Sequence, residues 1–315
     1  VPKDDLDETR IMPVIPNGPK PPHDEGGDAD SPASQPSPKA RPKKKSRRWW
    51  IIGIGILVAM LLMIGIGAVF ANQKRDVDVP DLEITYKKKV SIYTARCHVD
   101  RPLSEDISRY SWEIPIQVGA ALTEQRICEI CDNTGDHISH KNRQYCELTA
   151  LYWIWKQDCS DYVGLGHYRR HFELDEEMIQ RLAYSDIDVV LTIPIFDYPS
   201  VGEVYRRDHV ERDWNVMFQA LETLCPEYLA AARELEAGRF YYAYNMFIMK
   251  REILDSYCTW LFPILFYCER HCKGERDSYQ ERYIGFLAEH LMSIYFLYHE
   301  QKYKIVHARK HFIGT

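Results

Sequence analysis

No Asn-x-Ser/Thr sequon occurs in these 315 residues. That gives no support to a glycosylated lumenal domain and leaves the compartment open. No second Cys-x-x-Cys accompanies Cys128 and Cys131, and no His pair stands at matching spacing. A lone pair of this kind is weak ground for zinc or redox chemistry. The nine cysteines (Cys97, Cys128, Cys131, Cys146, Cys159, Cys225, Cys258, Cys268 and Cys272) are odd in number and irregularly spaced. Cys146 and Cys258 sit on apolar helical faces and read as ordinary core thiols. No internal repeat is visible, and no methionine opens the chain, as expected of a processed or truncated product.

Residues 1–48 have almost no aromatic residues and no apolar periodicity. Such a segment cannot bury enough surface to offset its ordering entropy, so disorder is predicted there. Acidic residues come first in it, and Lys39, Arg41, Lys43, Lys44, Lys45, Arg47 and Arg48 come last. Residues 51–70 lack charge altogether. An apolar run of about 20 residues matches the hydrocarbon core, and Trp49 and Trp50 sit where aromatic side chains favour the interface. One transmembrane helix over 49–71 is predicted. Its glycines (Gly53, Gly55, Gly65 and Gly67) form no Gly-x-x-x-Gly, so helix pairing through that motif is not indicated.

Seven basic residues precede the span, and only Lys74 and Arg75 closely follow it. The positive-inside rule puts the N-terminus in the cytoplasm and the C-terminal domain across the membrane, although Lys87, Lys88 and Lys89 weaken the asymmetry. The polybasic stretch also suits anionic lipid headgroups. A nucleic-acid role fits poorly beside a membrane span. A linker over 72–87 then leads to a domain over 88–315, long enough for one substantial core.

Within that domain, apolar runs at 90–95, 162–165, 187–192 and 240–249 read as strands. Helical patterns cover about 143–156, 175–183, 203–238, 252–269 and 279–298. Ser139 or Asn142 could cap the first helix, Pro226 interrupts the third, and Pro263 should bend or split the fourth. Residues 303–307 suggest a last short strand. Strands alternating with helices predict an α/β domain with a mostly parallel sheet.

The densest polar cluster is His167, Tyr168, Arg169, Arg170 and His171, directly after an apolar strand. Open α/β sheets collect ligands at the carboxyl ends of their strands, and arginine offers paired donors to phosphate oxygens. The bland alternative is a solvated basic loop. Three other features could join the cluster: His98 after the first strand; the polar loop with Asp132, Asn133, Asp136, His137, Ser139, His140 and Asn142; and Asn245 in an otherwise apolar strand. Glu289 lies in a predicted helix. Asp186 and Asp188 match Asp-x-Asp literally, but at the start of a strand rather than its end.

Four blocks in order carry a resemblance: residues 116–120 (Ile-Gln-Val-Gly-Ala); 132–139 with Lys141, Asn142 and 145–153; 164–170 (Gly-Leu-Gly-His-Tyr-Arg-Arg); and 244–249 with 257–265. Across about residues 88–310 the chain resembles a domain family long labelled as of unknown function and found in capsular and exopolysaccharide biosynthesis loci. The resemblance implies a glycosyltransferase-A-like, Rossmann-like fold. It also implies transfer of a sugar from a nucleotide-sugar donor to a glycan or lipid-linked glycan acceptor.

Many such enzymes hold a divalent ion with Asp-x-Asp at a central strand end. Here that end carries His167 to Arg170 instead, which leaves a manganese or magnesium ion open and the metal ligands unknown. On this reading His98, Gln117 and Gly119 line the nucleotide pocket. Asp132, Asn133, Asp136 and Asn142 contact donor or sugar hydroxyls, and His167, Tyr168, Arg169 and Arg170 meet the diphosphate. Asn245 orients a sugar, and Glu289 or Asp136 serves as general base. The rival reading is a non-catalytic, membrane-tethered module that binds carbohydrate or nucleotide. A metal-dependent phosphoesterase or nuclease lacks a clustered His/Asp ligand set.

Overall fold

The computed structural model describes residues 86–105 and 110–314. The expected N-terminal tail, the span over 49–71 and nearly all of the linker lie outside the described residues. Among the described residues, no helix is long and apolar enough to cross a membrane.

Three strands open the domain: β1 (Val90–Arg96), β2 (Glu113–Gln117) and β3 (Ile130–Cys131). Two helices, α1 (Asn142–Tyr145) and α2 (Leu148–Gln157), lead to β4 (Tyr162–His167) and β5 (Arg170–Phe172). Then come α3 (Glu176–Ala183), β6 (Val189–Thr192) and β7 (Ile195–Phe196). Helices α4 (Val201–Asp208), α5 (Glu211–Leu224) and α6 (Leu229–Ala237) precede β8 (Phe240–Tyr241) and β9 (Phe247–Lys250). The chain closes with α7 (Arg251–His271), α8 (Tyr283–Tyr298), β10 (Ile305–Ala308) and β11 (Lys310–Phe312).

The main sheet runs β10-β6-β9-β4-β1-β2-β3, with β5 and β11 paired beside it. Strand pairs β1·β2, β1·β4, β2·β3 and β6·β10 are parallel, while β9 runs against both β4 and β6. The mostly parallel α/β architecture read from the sequence is what the chain adopts. Successive side chains divide between two faces, as the period of a strand requires. Tyr93, Val163, Leu165, Val189, Leu191, Phe247 and Met249 join the larger core with residues of α2 and α4–α8. Ile92, Tyr162, Val190 and Ile248 face a smaller core with Leu182 of α3, Phe172 of β5 and Ala308 of β10. Burial on both faces is why the central strands read as near-continuous apolar runs.

Several local expectations are corrected. The single helix expected over 143–156 is broken at Cys146, whose backbone takes φ 49 and ψ −129. Neither Ser139 nor Asn142 caps it. Ser139 Oγ donates to Asp132 instead, and Asn142 Nδ2 donates to the Cys146 carbonyl. Pro263 does not split α7. Its ring and Thr259, whose carbonyl loses its helical partner, are both exposed, so water can take the place of the missing N–H. The aromatic run 240–249 is two strands separated by Tyr244 and Asn245, both at positive φ. Strand β11 was not anticipated.

Gly164 sits between β1 and β9 at the sheet centre. A Cβ there would stand 2.9 Å from Ile248 Cγ1 and 3.0 Å from Ile92 Cγ2, tighter than packed carbons tolerate. Gly164→Ala should therefore cost about 1–3 kcal/mol by overpacking. A lowered Tm in thermal melts is expected; an unchanged Tm would show that the two isoleucines yield freely.

Candidate functional site

Strand β4 turns back into β5 through a two-residue hairpin, Tyr168–Arg169, with His167 opposite Arg170. The polar cluster is thus a tight turn held by its neighbours. Buried His171 joins Glu113 Oε2 through Nδ1 at 2.7 Å and donates from Nε2 to the Tyr168 carbonyl at 3.0 Å. Thr94 Oγ1 donates to the same Glu113 oxygen at 2.6 Å, and Tyr110 stacks on the imidazole at 4.2 Å. Strand β11 pairs with β5, placing the Phe312 ring under both Arg169 and Arg170. The Arg170 guanidinium also lies 4.2 Å from the Tyr244 ring centroid. Flat contacts of this kind hold a guanidinium in one place.

A cleft of about 410 Å³ opens beside this hairpin. Four arginines (Arg169, Arg170, Arg207 and Arg282) and four carboxylates (Glu147, Asp197, Asp208 and Glu289) line it. Several separate segments deliver them. The break at Cys146 turns Glu147 inward, where it accepts from Asn245 Nδ2 at 2.5 Å and lies 3.7 Å from His167 Nε2. His167 Nε2 donates to the Tyr244 carbonyl at 2.7 Å. Asn245 Nδ2 also reaches the Gly285 carbonyl at 3.3 Å. Both of those partners are acceptors, so the amide orientation is fixed and Oδ1 is left without a partner. Arg282 comes from the segment before α8. That segment is anchored by Arg276, which grips buried Asp213 of α5 with two bonds, one at 2.6 Å. Arg282 Nε donates to Cys146 Sγ at 3.4 Å, and Gly285 lets α8 approach that thiol.

Burial holds the His167 imidazole below its ordinary pKa; Glu147 pulls it up and Arg170 pushes it down. His167 is therefore neutral at pH 7, with its proton on Nε2. Burial pushes the Cys146 thiol up to about 11, against the pull of Arg282.

The structure brings His167, Arg169, Arg170 and Glu289 to one cleft, with Asn245 behind its wall through Glu147. Other expected residues belong elsewhere. Asp132 is fully buried and accepts from Gly119 N at 2.8 Å, Ala120 N at 3.0 Å and Ser139 Oγ. Its oxygens hold a loop and are not available to sugar hydroxyls. Gln117 uses its amide to fix Gln125 and Ile127 at 2.8 and 2.9 Å and lies outside the cleft lining. Gly119, at φ 65, packs on Asn142, whose amide serves Cys146 and Thr149. His98, Asn133 and Tyr168 also lie outside the cleft lining.

Asp136 is exposed and accepts from the Tyr152 hydroxyl at 3.2 Å, outside the cleft, which removes it as a base there. Asp186 and Asp188 pair with Lys304 and Lys250 at the opposite edge of the sheet. Among the described residues, no group of three His, Cys, Asp or Glu is placed to hold a metal ion. Sequence reasoning missed Glu147, Asp197, Arg207 and Arg282. A carboxylate inside the apolar run 145–154 was a usable signal for Glu147, while Arg282 had none.

A family model described as a domain of unknown function, DUF4422, matches residues 92–301. Among solved structures, the apo form of the bifunctional glycosyltransferase WbbM is similar, with 30% identity and a TM-score of 0.65. The match covers 72% of this chain and 46% of that one, so this chain spans less than half the length of WbbM. The mannosyltransferase Ktr4p of S. cerevisiae matches at 13% identity over 58% of this chain and 63% of that one, with a TM-score of 0.29. That likeness carries no argument. No curated protein matches the chain.

Two measurements probe the site electrostatics. Unfolded His167 takes a proton more readily than folded His167, so this residue favours unfolding as pH falls below the ordinary histidine value of about 6.5. His167→Gln keeps a donor for Tyr244 and should shrink the loss of Tm between about pH 7.5 and about pH 5.5. An undiminished loss would assign the pH dependence to other groups. At mildly alkaline pH, iodoacetamide should modify exposed Cys159 well before Cys146, whose thiolate is scarce. Peptide mass spectrometry reads the order.

Proposed function

The chain belongs to the DUF4422 domain family, and from that premise we propose that it is a glycosyltransferase whose donor, a nucleotide sugar, binds in the arginine-lined cleft. The observation that carries this reading is the convergence of Arg169, Arg170 and Arg282 from two separate segments on one cavity that also holds carboxylates. Guanidinium groups suit the diphosphate, and carboxylates suit sugar hydroxyls. The similarity to WbbM supports the same chemistry.

In the proposed single displacement, an acceptor hydroxyl oxygen forms a bond to the anomeric carbon. The bond from that carbon to the phosphate oxygen breaks, and its electron pair leaves on the diphosphate. Arg169, Arg170 and Arg282 stabilise the charge that develops there. Glu289, on the cleft wall, takes the hydroxyl proton. Neutral His167 holds the Tyr244 turn and with it the ring that braces Arg170. No step is assigned to a divalent ion, because the carboxylates do not cluster into a ligand set. The acceptor on this reading is a glycan or lipid-linked glycan of a cell-surface polysaccharide. The uncharged stretch 51–70 would anchor the enzyme to the membrane.

Uridine or guanosine diphosphate should raise the Tm of the full chain without manganese. Arg169→Ala should weaken that binding about 10-fold or more while leaving the ligand-free Tm in place. Stabilisation that appears only with manganese would overturn the arginine clamp. Donor binding without sugar transfer or donor hydrolysis would favour the non-catalytic module.

A further inference from the structure

A second hollow lies behind the β7–β8 ribbon. It measures about 390 Å³ and is lined by aromatic rings, among them Phe240, Tyr241, Tyr242 and Tyr303. Tyr241 lines the arginine cleft as well, so the two hollows share a wall. The ribbon between them is short: Ile195 pairs with Tyr241, and Phe196 with Phe240. Phe240 is 52% exposed and Phe196 38%, with their rings 5.3 Å apart. Tyr198, 67% exposed, lies two residues beyond the end of β7. Exposed aromatic rings side by side are an unusual cost for a surface, and Phe240 among them lines the cavity.

The charge of the two hollows differs sharply. Four arginines and four carboxylates line the cleft, a dense set of both signs. No lysine or arginine lines the second hollow, and Glu300 is its one carboxyl residue. His307 stays neutral there, since burial lowers its pKa. Its Nε2 meets the Tyr242 hydroxyl at 3.0 Å, and the two rings stack at 5.7 Å. An anion gains nothing in such a place. A molecule with apolar ring faces and hydroxyl edges gains twice: flat aromatic surface for its C–H faces, and hydroxyl, imidazole and carboxylate groups for its O–H edges.

We propose that this aromatic hollow is the acceptor subsite and takes the neutral pyranose residues of the acceptor glycan. The inference rests on the glycosyltransferase reading of the neighbouring cleft. The anionic donor then belongs on the arginine side of Tyr241 and the uncharged sugar chain on the aromatic side. The acceptor terminus would pass along the ribbon toward Glu289.

Saturation-transfer NMR on the full chain tests this with named probes: the methyl β-pyranosides of galactose and glucose and the methyl α-pyranoside of mannose, each with uridine or guanosine diphosphate present. At least one glycoside should receive saturation on its ring C–H protons. Phe240→Ala should cut that signal about threefold or more, and Phe240→Trp should retain it. Nucleotide signals should be the same in all three proteins. Nucleotide binding with no glycoside signal, or a glycoside signal indifferent to Phe240→Ala, overturns the subsite and leaves the donor cleft standing. Saturation of 1-hexanol but of no glycoside assigns the hollow to an alkyl chain and likewise overturns it. Loss of nucleotide signals in the unsubstituted protein marks failure of the underlying cleft reading instead.

Discussion

The buried contact between His171 and Glu113 sets the position of everything at the carboxyl edge of the sheet. It links β5 to β2, while Thr94 brings β1 to the same carboxylate oxygen. Three strands are thereby registered at the point where the chain reverses. A two-residue hairpin with large cationic side chains has little reason to hold one orientation by itself. Here the His171 imidazole of its far strand holds the turn at the Tyr168 carbonyl, and β11 pairs beside that strand. Removing one partner of such a buried pair leaves the other without compensation, at a cost of several kcal/mol. The orientation of Arg169 and Arg170 is thus paid for in the core.

A similar logic operates on the far wall of the cleft. Tyr244 and Asn245 both take positive φ, a conformation that a tyrosine adopts only under constraint. The constraint is visible: His167 holds the Tyr244 carbonyl, and Glu147 and the Gly285 carbonyl hold the Asn245 amide. Strand β4, the α1–α2 break, the approach to β9 and helix α8 therefore meet through five polar groups. Local strain is stored where four elements converge, and tertiary bonds hold it there.

Much of the frame was legible in the sequence, because parallel strands buried on both faces announce themselves as apolar runs. Strands β1, β4 and β6 and the long helices are of this kind. The polar loop 132–142 misled for a physical reason. Asp132 and Asn142 carry ligand-like groups, yet they satisfy backbone and hydroxyl donors of their own neighbourhood, and composition does not distinguish the two uses. The cleft was legible at His167, Arg169, Arg170 and Glu289. Glu147 was hidden by a helix break that no glycine or proline marks. Arg282 was hidden because its placement depends on the Arg276–Asp213 bond across a sequence separation of 63 residues. Such contacts are tertiary, and a local pattern cannot encode them.

The two edges of the sheet are built from different materials. At the amino edge, Asp188 ties Lys250 and the Lys304 amide together, and Asp186 adds a second lysine contact. This is seam work, repetitive and indifferent to ligands. At the carboxyl edge, turns before β9 and before α8 bring side chains to a cavity, and no strand of the main sheet passes through them. Such an arrangement separates seam from cleft: a cleft residue such as Arg207 or Glu289 can be exchanged without touching the seam. The cleft could thus change its lining without renegotiating how the chain folds.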